Sequence, residues 1–135
     1  MALLTWSDKF SVQVRQFDEE HKQLMNLINQ LHDAMKTGQG KQVIGDVLKG
    51  LISYTRNHFA AEERLMKAHG YPAYESHKKE HNQLTLTVLD FQKGFAAGSV
   101  PLSQAVMTFL KDWLTSHIQG VDKEYGPFMN GKGIK

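Results

Sequence analysis

The chain predicts an all-α protein: an up-down-up-down antiparallel four-helix bundle with an extended N-terminal arm. Three observations predict it. Four stretches of helix length repeat apolar residues every three to four positions, the period of an amphipathic helix. Breaks at Gly38-Gln39-Gly40, His69-Gly70-Tyr71-Pro72 and Ala97-Gly98-Ser99-Val100-Pro101 separate them. The breaks are short, and short connections between long helices make neighbours antiparallel. The whole chain, 1–135, has the size of one domain, with no internal repeat or low-complexity tract.

Each element follows in order. The arm, 1–17, carries Trp6, Phe10, Val12, Val14 and Phe17; Val12 and Val14 alternate with polar residues, so an extended segment packing across the bundle is expected. The first helix spans about 19–36, with Asp18 as its N-cap rather than a ligand and Glu19 and Glu20 in the first turn. Leu24, Met25, Ile28, Leu31 and Met35 form its core stripe. The second helix, about 42–68, places Val47, Leu48, Leu51, Tyr54, His58, Ala61, Glu62 and Leu65 on or near one face. The third, about 72–97, starts with Pro72 at its first position and shows His77, His81, Leu84, Val88 and Phe91. The fourth, about 102–120, shows Val106, Phe109, Leu110, Trp113, Leu114 and His117. Gly126-Pro127, Gly131 and Gly133 predict an irregular tail.

Composition excludes several function classes. Charge is nearly balanced, 16 basic against 14 acidic residues, and spread along the chain, which argues against a nucleic-acid partner. No apolar run approaches the roughly 20 residues of a membrane span. The N-terminus has no basic segment leading into a long apolar one, so no secretory signal is expected. The absence of cysteine removes disulfides, thiolate clusters and cysteine nucleophiles, and fits a cytoplasmic protein.

The chemistry lies in the histidines. On an α-helix, positions i and i+4 sit about 40° apart around the axis and about 6 Å along it, so they can aim two donor atoms at one point. His58 and Glu62 form such a pair, as do His77 and His81, each on an apolar stripe. A titratable group on a buried face needs a partner, and a metal ion supplies one. His21 starts the first helix, His58 and Glu62 end the second, His77 and His81 start the third, and His117 ends the fourth. With alternating helix directions these places meet at one end of the bundle. Five imidazoles and two carboxylates, Asp122 being the second, suit two transition-metal ions; Mg²⁺ and Ca²⁺ prefer oxygen. His117 and Asp122 are five apart, about 140° around a regular helix, so either the helix ends near Gly120 or a π-bulge brings Asp122 back. A lone buried histidine is ordinarily a hydrogen-bonded core residue; the combined register is what points to metal. His32, about 16 Å along the axis from His21, reads as a solvated or core histidine. His69, beside Gly70, reads as a helix C-terminal residue.

These residues resemble the hemerythrin family, in its single-domain bacterial form. The resemblance covers almost the whole chain: Trp6 and Ser11-Val12, then 17–24 (FDEEHKQL), 58–63 (HFAAEE), Tyr71-Pro72, 77–81 (HKKEH) and 113–122 (WLTSHIQGVD). All seven ligand positions match; Gln13 departs, where many relatives have glycine. The resemblance implies two non-haem iron ions bridged by Glu62, Asp122 and an oxo or hydroxo oxygen. His77, His81 and His117 would complete one ion. His21 and His58 would bind the other, which keeps an open position for O₂. It implies reversible dioxygen binding for transport, storage or local supply. The partner would be dioxygen, with an oxygen-consuming protein as recipient, and the chain would be a monomer and not an enzyme.

The oxygen pocket is expected at Leu24, Phe59, Trp113, Leu114 and Ile118, all apolar. An oxidase, a peroxidase or a nitric-oxide-handling enzyme would need an acid–base residue there. A sensor would need an output domain. A metallophosphohydrolase, suggested by His32-Asp33, would need that pair at a site lying turns away.

Overall fold

Apolar periodicity becomes a four-helix bundle, its fourth helix running on into a short fifth, in the computed structural model, which describes residues 3–38, 41–98 and 104–135. The helices are α1 (Arg15–Lys36), α2 (Lys41–His69), α3 (Tyr74–Ala97), α4 (Gln104–Ser116) and α5 (Lys123–Gly131). A 3-10 turn occupies Asp8–Phe10, and a π-helical turn, His117–Asp122, carries α4 into α5. Helix α1 packs against α2 and α4, and α2 packs against α3. Among the described residues there is no strand, and no helix is long and apolar enough to cross a membrane. The expected start of the fourth helix at Leu102, and the Gln39-Gly40 and Ser99-Val100-Pro101 parts of the breaks, lie outside the described residues.

The stripes form the core. Phe17, Leu24, Met25, Ile28 and Leu31 of α1 face Leu48, Leu51, Ile52 and Met66 of α2, Leu84 and Val88 of α3, and Met107, Leu110 and Leu114 of α4. Burying each such side chain is worth about 1.5–3 kcal/mol. Helix α2 stops in a Schellman motif: Gly70 has φ 72°, its N–H donates to Lys67 O, and Tyr71 N–H donates to Met66 O. Gly98, at φ 75°, ends α3 in the same left-handed conformation.

Three expectations need correction. Helix α1 begins at Arg15, not at about 19, and Asp18 does not cap it. The Asp18 carboxylate instead reaches back to the arm, accepting from Val12 N–H at 2.8 Å and Ser11 Oγ at 2.7 Å. That anchor holds the extended Val14 in place as the residue preceding the helix. Pro72 lies in the turn before α3, which begins at Tyr74.

The tail is not irregular but helical. Proline inside a helix costs about 3 kcal/mol. Complete burial of Tyr125 and Met129 is of comparable size or larger, and it decides the outcome.

The arm is irregular apart from its 3-10 turn. Asn29 of α1 pins it by donating to Leu4 O and accepting from Leu4 N–H, at 2.9 and 2.8 Å. Gln13 takes φ 64°, a left-handed conformation that favours glycine, which lets Val12 and Val14 on either side both bury.

Candidate metal centre

Among the described residues, the seven polar or charged ones that the fold buries are the seven expected ligands: His21, His58, Glu62, His77, His81, His117 and Asp122. Their donor atoms form two groups. One comprises Glu62, His77, His81, His117 and Asp122; the other comprises His21, His58, Glu62 and Asp122. Both carboxylates belong to both groups.

The carboxylates divide their oxygens between the groups. Glu62 turns Oε1 to His81 Nε2 (3.2 Å) and His77 Nε2 (3.7 Å), and Oε2 to His21 Nε2 and His58 Nε2 (both 3.5 Å). Asp122 turns Oδ1 to His77 Nε2 (2.9 Å) and His117 Nε2 (3.0 Å), and Oδ2 to His21 Nε2 (3.1 Å).

The π-turn makes the Asp122 contacts possible. It adds a residue to the turn, and Asp122 comes round beside His117. Of the two alternatives that the His117–Asp122 spacing left open, the chain adopts the bulge.

These approaches are short, yet His21 Nε2, His77 Nε2, Glu62 Oε1 and both oxygens of Asp122 are buried without a hydrogen-bond partner. The donors aim at a shared space rather than at one another. His81 Nε2 and His117 Nε2 also face each other at 3.1 Å. Two donors bound at right angles about 2.1 Å from one ion lie about 3.0 Å apart. Spacing, unpartnered atoms and nitrogen-rich chemistry together fit a pair of iron ions.

Electrostatics in the metal-free chain follow from the same contacts. Burial pulls the His21 and His77 imidazoles down, but Asp122 and Glu62 together outweigh it and hold both up to about 10. Burial pushes the Glu62 carboxyl up, but the surrounding imidazoles, His58 foremost, keep it well below the usual carboxylate range. Asp122 is likewise held low: burial and the Glu62 charge oppose ionisation, while His117 and His21 favour it more strongly.

A second layer was not foreseen. Tyr125 Oη donates to Glu62 Oε2 at 2.5 Å, and burial, with the Glu62 and Asp122 charges, raises its phenol well above the usual value. Glu20 sits 2.5 Å from His58 Nδ1, Glu63 2.8 Å from His81 Nδ1, and Glu80 3.4 Å from His117 Nδ1. Each of these carboxylates is next to a ligand in the chain, a signal that looks no different from a polar helix edge.

The expected oxygen-pocket residues divide. Leu24, Trp113 and Leu114 line an apolar cavity of about 20 Å³ with Ile28, Leu51, Leu84, Val88 and Leu110. Thr55 is the one polar lining residue, and its hydroxyl donates to Leu51 O at 2.7 Å. Trp113 stacks on His117, with 4.4 Å between ring centroids. Phe59 stacks on His81 at 3.7 Å and lines an outer cleft between α2 and α3; Ile118 is fully buried in the π-turn. His32 and Asp33 join neither donor group.

Known proteins share this arrangement of chain. Residues 12–129 match the Hemerythrin HHE cation binding domain. A bacteriohemerythrin of Methylococcus capsulatus is 40% identical over 131 residues, covering 96% of this chain and 99% of that protein. A myohemerythrin of Theromyzon tessulatum is 33% identical over 120 residues, covering 89% and 88%. The crystal structure of a wild-type hemerythrin superposes with a TM-score of 0.90 at 41% identity, covering 93% of this chain and 97% of that one. Matched along almost its entire length in sequence and in fold, the chain belongs to the hemerythrin family, and its buried donors fit that family's di-iron, oxygen-binding chemistry.

Proposed function

We propose that the chain is a reversible dioxygen carrier, store or local supplier and not an enzyme. Its metal ligands would be His21, His58, Glu62, His77, His81, His117 and Asp122. The observation that carries this reading is the division of the two carboxylates, one oxygen of each toward either histidine group. A carboxylate so placed links two ions and lowers their mutual repulsion. Bound iron supplies the electrons on which reversible dioxygen binding depends.

The residues do the rest. His77, His81 and His117 would give one ion three imidazoles, while His21 and His58 would give the other ion two. The cavity beside Leu114 and Trp113 is apolar and suits a small apolar gas. Among the described residues no titratable side chain lines it, which favours holding oxygen over driving it onward to reduction. Absence of cysteine supports a reducing, cytoplasmic setting. A monomer delivering to an oxygen-consuming protein is the simplest arrangement for this role.

Metal analysis and a visible spectrum test the reading. The purified chain should hold two irons, be nearly colourless when reduced, gain visible bands in air and lose them under vacuum. Glu62→Gln or Asp122→Asn removes one bridging charge and should leave one iron or none, whereas His32→Ala keeps both. One ion per wild-type chain, zinc throughout, or iron loss in His32→Ala equal to that in His77→Ala would sink it.

A further inference from the structure

The three carboxylates behind the histidines follow a rule. Glu20 precedes His21 on α1 but meets His58 of α2. Glu63 follows Glu62 on α2 but meets His81 of α3. Glu80 precedes His81 on α3 but meets His117 at the end of α4. One residue along a helix is a rotation of about 100°, which takes each carboxylate off its own core stripe and to the seam with the next helix. Helices α1, α2 and α3 thus each supply, beside a ligand of their own, the support for a ligand on the next helix.

We propose that Glu20, Glu63 and Glu80 are positioning residues, each holding the imidazole of the next helix with Nδ1 protonated and Nε2 turned inward. An imidazole whose Nδ1–H is engaged by a carboxylate is fixed in tautomer and ring angle and presents its Nε2 lone pair. The three differ in strength. Glu20 makes the shortest contact, 2.5 Å, at 24% side-chain exposure. It is braced by Gln16 Nε2, which donates to its other oxygen at 3.1 Å, and by Tyr54 Oη, which donates to its backbone carbonyl at 3.2 Å. Glu63 is next, at 2.8 Å and 18% exposure. Glu80, at 3.4 Å and 41% exposure, is the weakest. His21 stands outside the scheme: its Nδ1 is buried and has no partner. In the two-histidine group, therefore, Glu20 is the one such support among the described residues, and it acts on His58.

This inference rests on the ligand assignment proposed above, and its test separates the two. Zinc-loaded protein with ¹⁵N-labelled histidine should show protonated, slowly exchanging Nδ1 sites at His58, His81 and His117. Glu20→Ala should abolish the slow exchange at His58 only. In the iron-loaded chain, loss of iron to a chelator should become about 10–100-fold faster, the usual cost of removing such a partner. Glu20→Gln keeps an acceptor and should restore most of both. The effect on iron loss should fall in the order Glu20→Ala, Glu63→Ala, Glu80→Ala; the exposed Glu80 provides a variant with little risk to folding. Wild-type chelation rate and unchanged His58 exchange in Glu20→Ala would overturn the proposal. So would Glu20→Gln failing as fully as Glu20→Ala. Fewer than two metal ions in the wild type would instead overturn the ligand assignment.

Discussion

At His21 and His77, protons and metal compete for the same nitrogens. Without metal both imidazoles are held up to about 10, above their ordinary value of about 6.5, so folding takes up protons there. That stabilisation is complete below about 6.5 and is lost as pH rises through about 10. The Glu62 and Asp122 carboxyls are held low, so their stabilisation is present above the ordinary carboxylate range of about 4 and is lost as pH falls. The metal-free chain should therefore unfold at its highest temperature near pH 5–6 and at progressively lower temperature from pH 6.5 to 10. Metal binding needs neutral imidazoles, so it strengthens over the same interval and fails in acid. Melting curves with and without metal should diverge as pH rises; a metal-free melting temperature that climbs from pH 6.5 to 9 would contradict this. The five histidines and Glu62 were legible in the sequence because each lies on or near an apolar stripe, where a titratable side chain is conspicuous; Asp122, about 140° from His117 on a regular helix, needed the resemblance. Glu20, Glu63, Glu80 and Tyr125 were not legible. Their contacts exist only between helices, and spacing within one helix carries no trace of them.

The helices separate the site from water in two ways. Leu114, one turn before His117, is 3% exposed and walls the cavity with Leu24 and Trp113. Leu114→Ala should open a water path and speed autoxidation with iron content unchanged, while Leu114→Phe should slow oxygen entry. Decay of the visible bands in air and stopped-flow oxygen binding measure the two. Wild-type values for both variants would make Leu114 ordinary core. The other seal is the contact of the arm with α5. A Cβ at Gly126 would lie 2.4 Å from Val12 O, a backbone atom that cannot step aside. Asn130 Nδ2 donates to Gln13 O at 2.9 Å beside it. Gly126→Ala should lower stability by about 1–3 kcal/mol, read as the denaturation midpoint. Gly126 and Pro127 suggested a broken tail because a breaker and a close-contact glycine look alike until the partner backbone is known. For the same reason Asp18, a good cap by residue type, turned out to hold the arm.

Across the whole molecule, bundle topology was readable because ligand positions alternate between helix starts and helix ends, and only antiparallel neighbours bring those together. Handling of the surplus residue between His117 and Asp122 was not readable, since an early helix end and a π-turn satisfy the same spacing. That surplus acts as a phase offset between two stretches of one continuous helix. Everything beyond it is set by the offset: Asp122 toward the histidines, Tyr125 toward Glu62, and Gly126 against Val12. Deleting Gly120, whose surroundings are open, removes the surplus residue, so an ordinary α-helical turn puts Asp122 four residues after His117 and keeps all three in register. Iron content and protease resistance of the arm should then both be retained, whereas inserting a further residue after Gly120 should rotate all three by about 100° and lose both in one step. Gly120→Ala keeps the offset and should keep both. Loss of either property in the deletion variant would show that the wide turn does more than absorb the surplus residue. The wide turn thus absorbs one residue of slack and keeps the metal ligands, the phenol and the arm in phase, which a regular α-helix through every residue of this segment could not do.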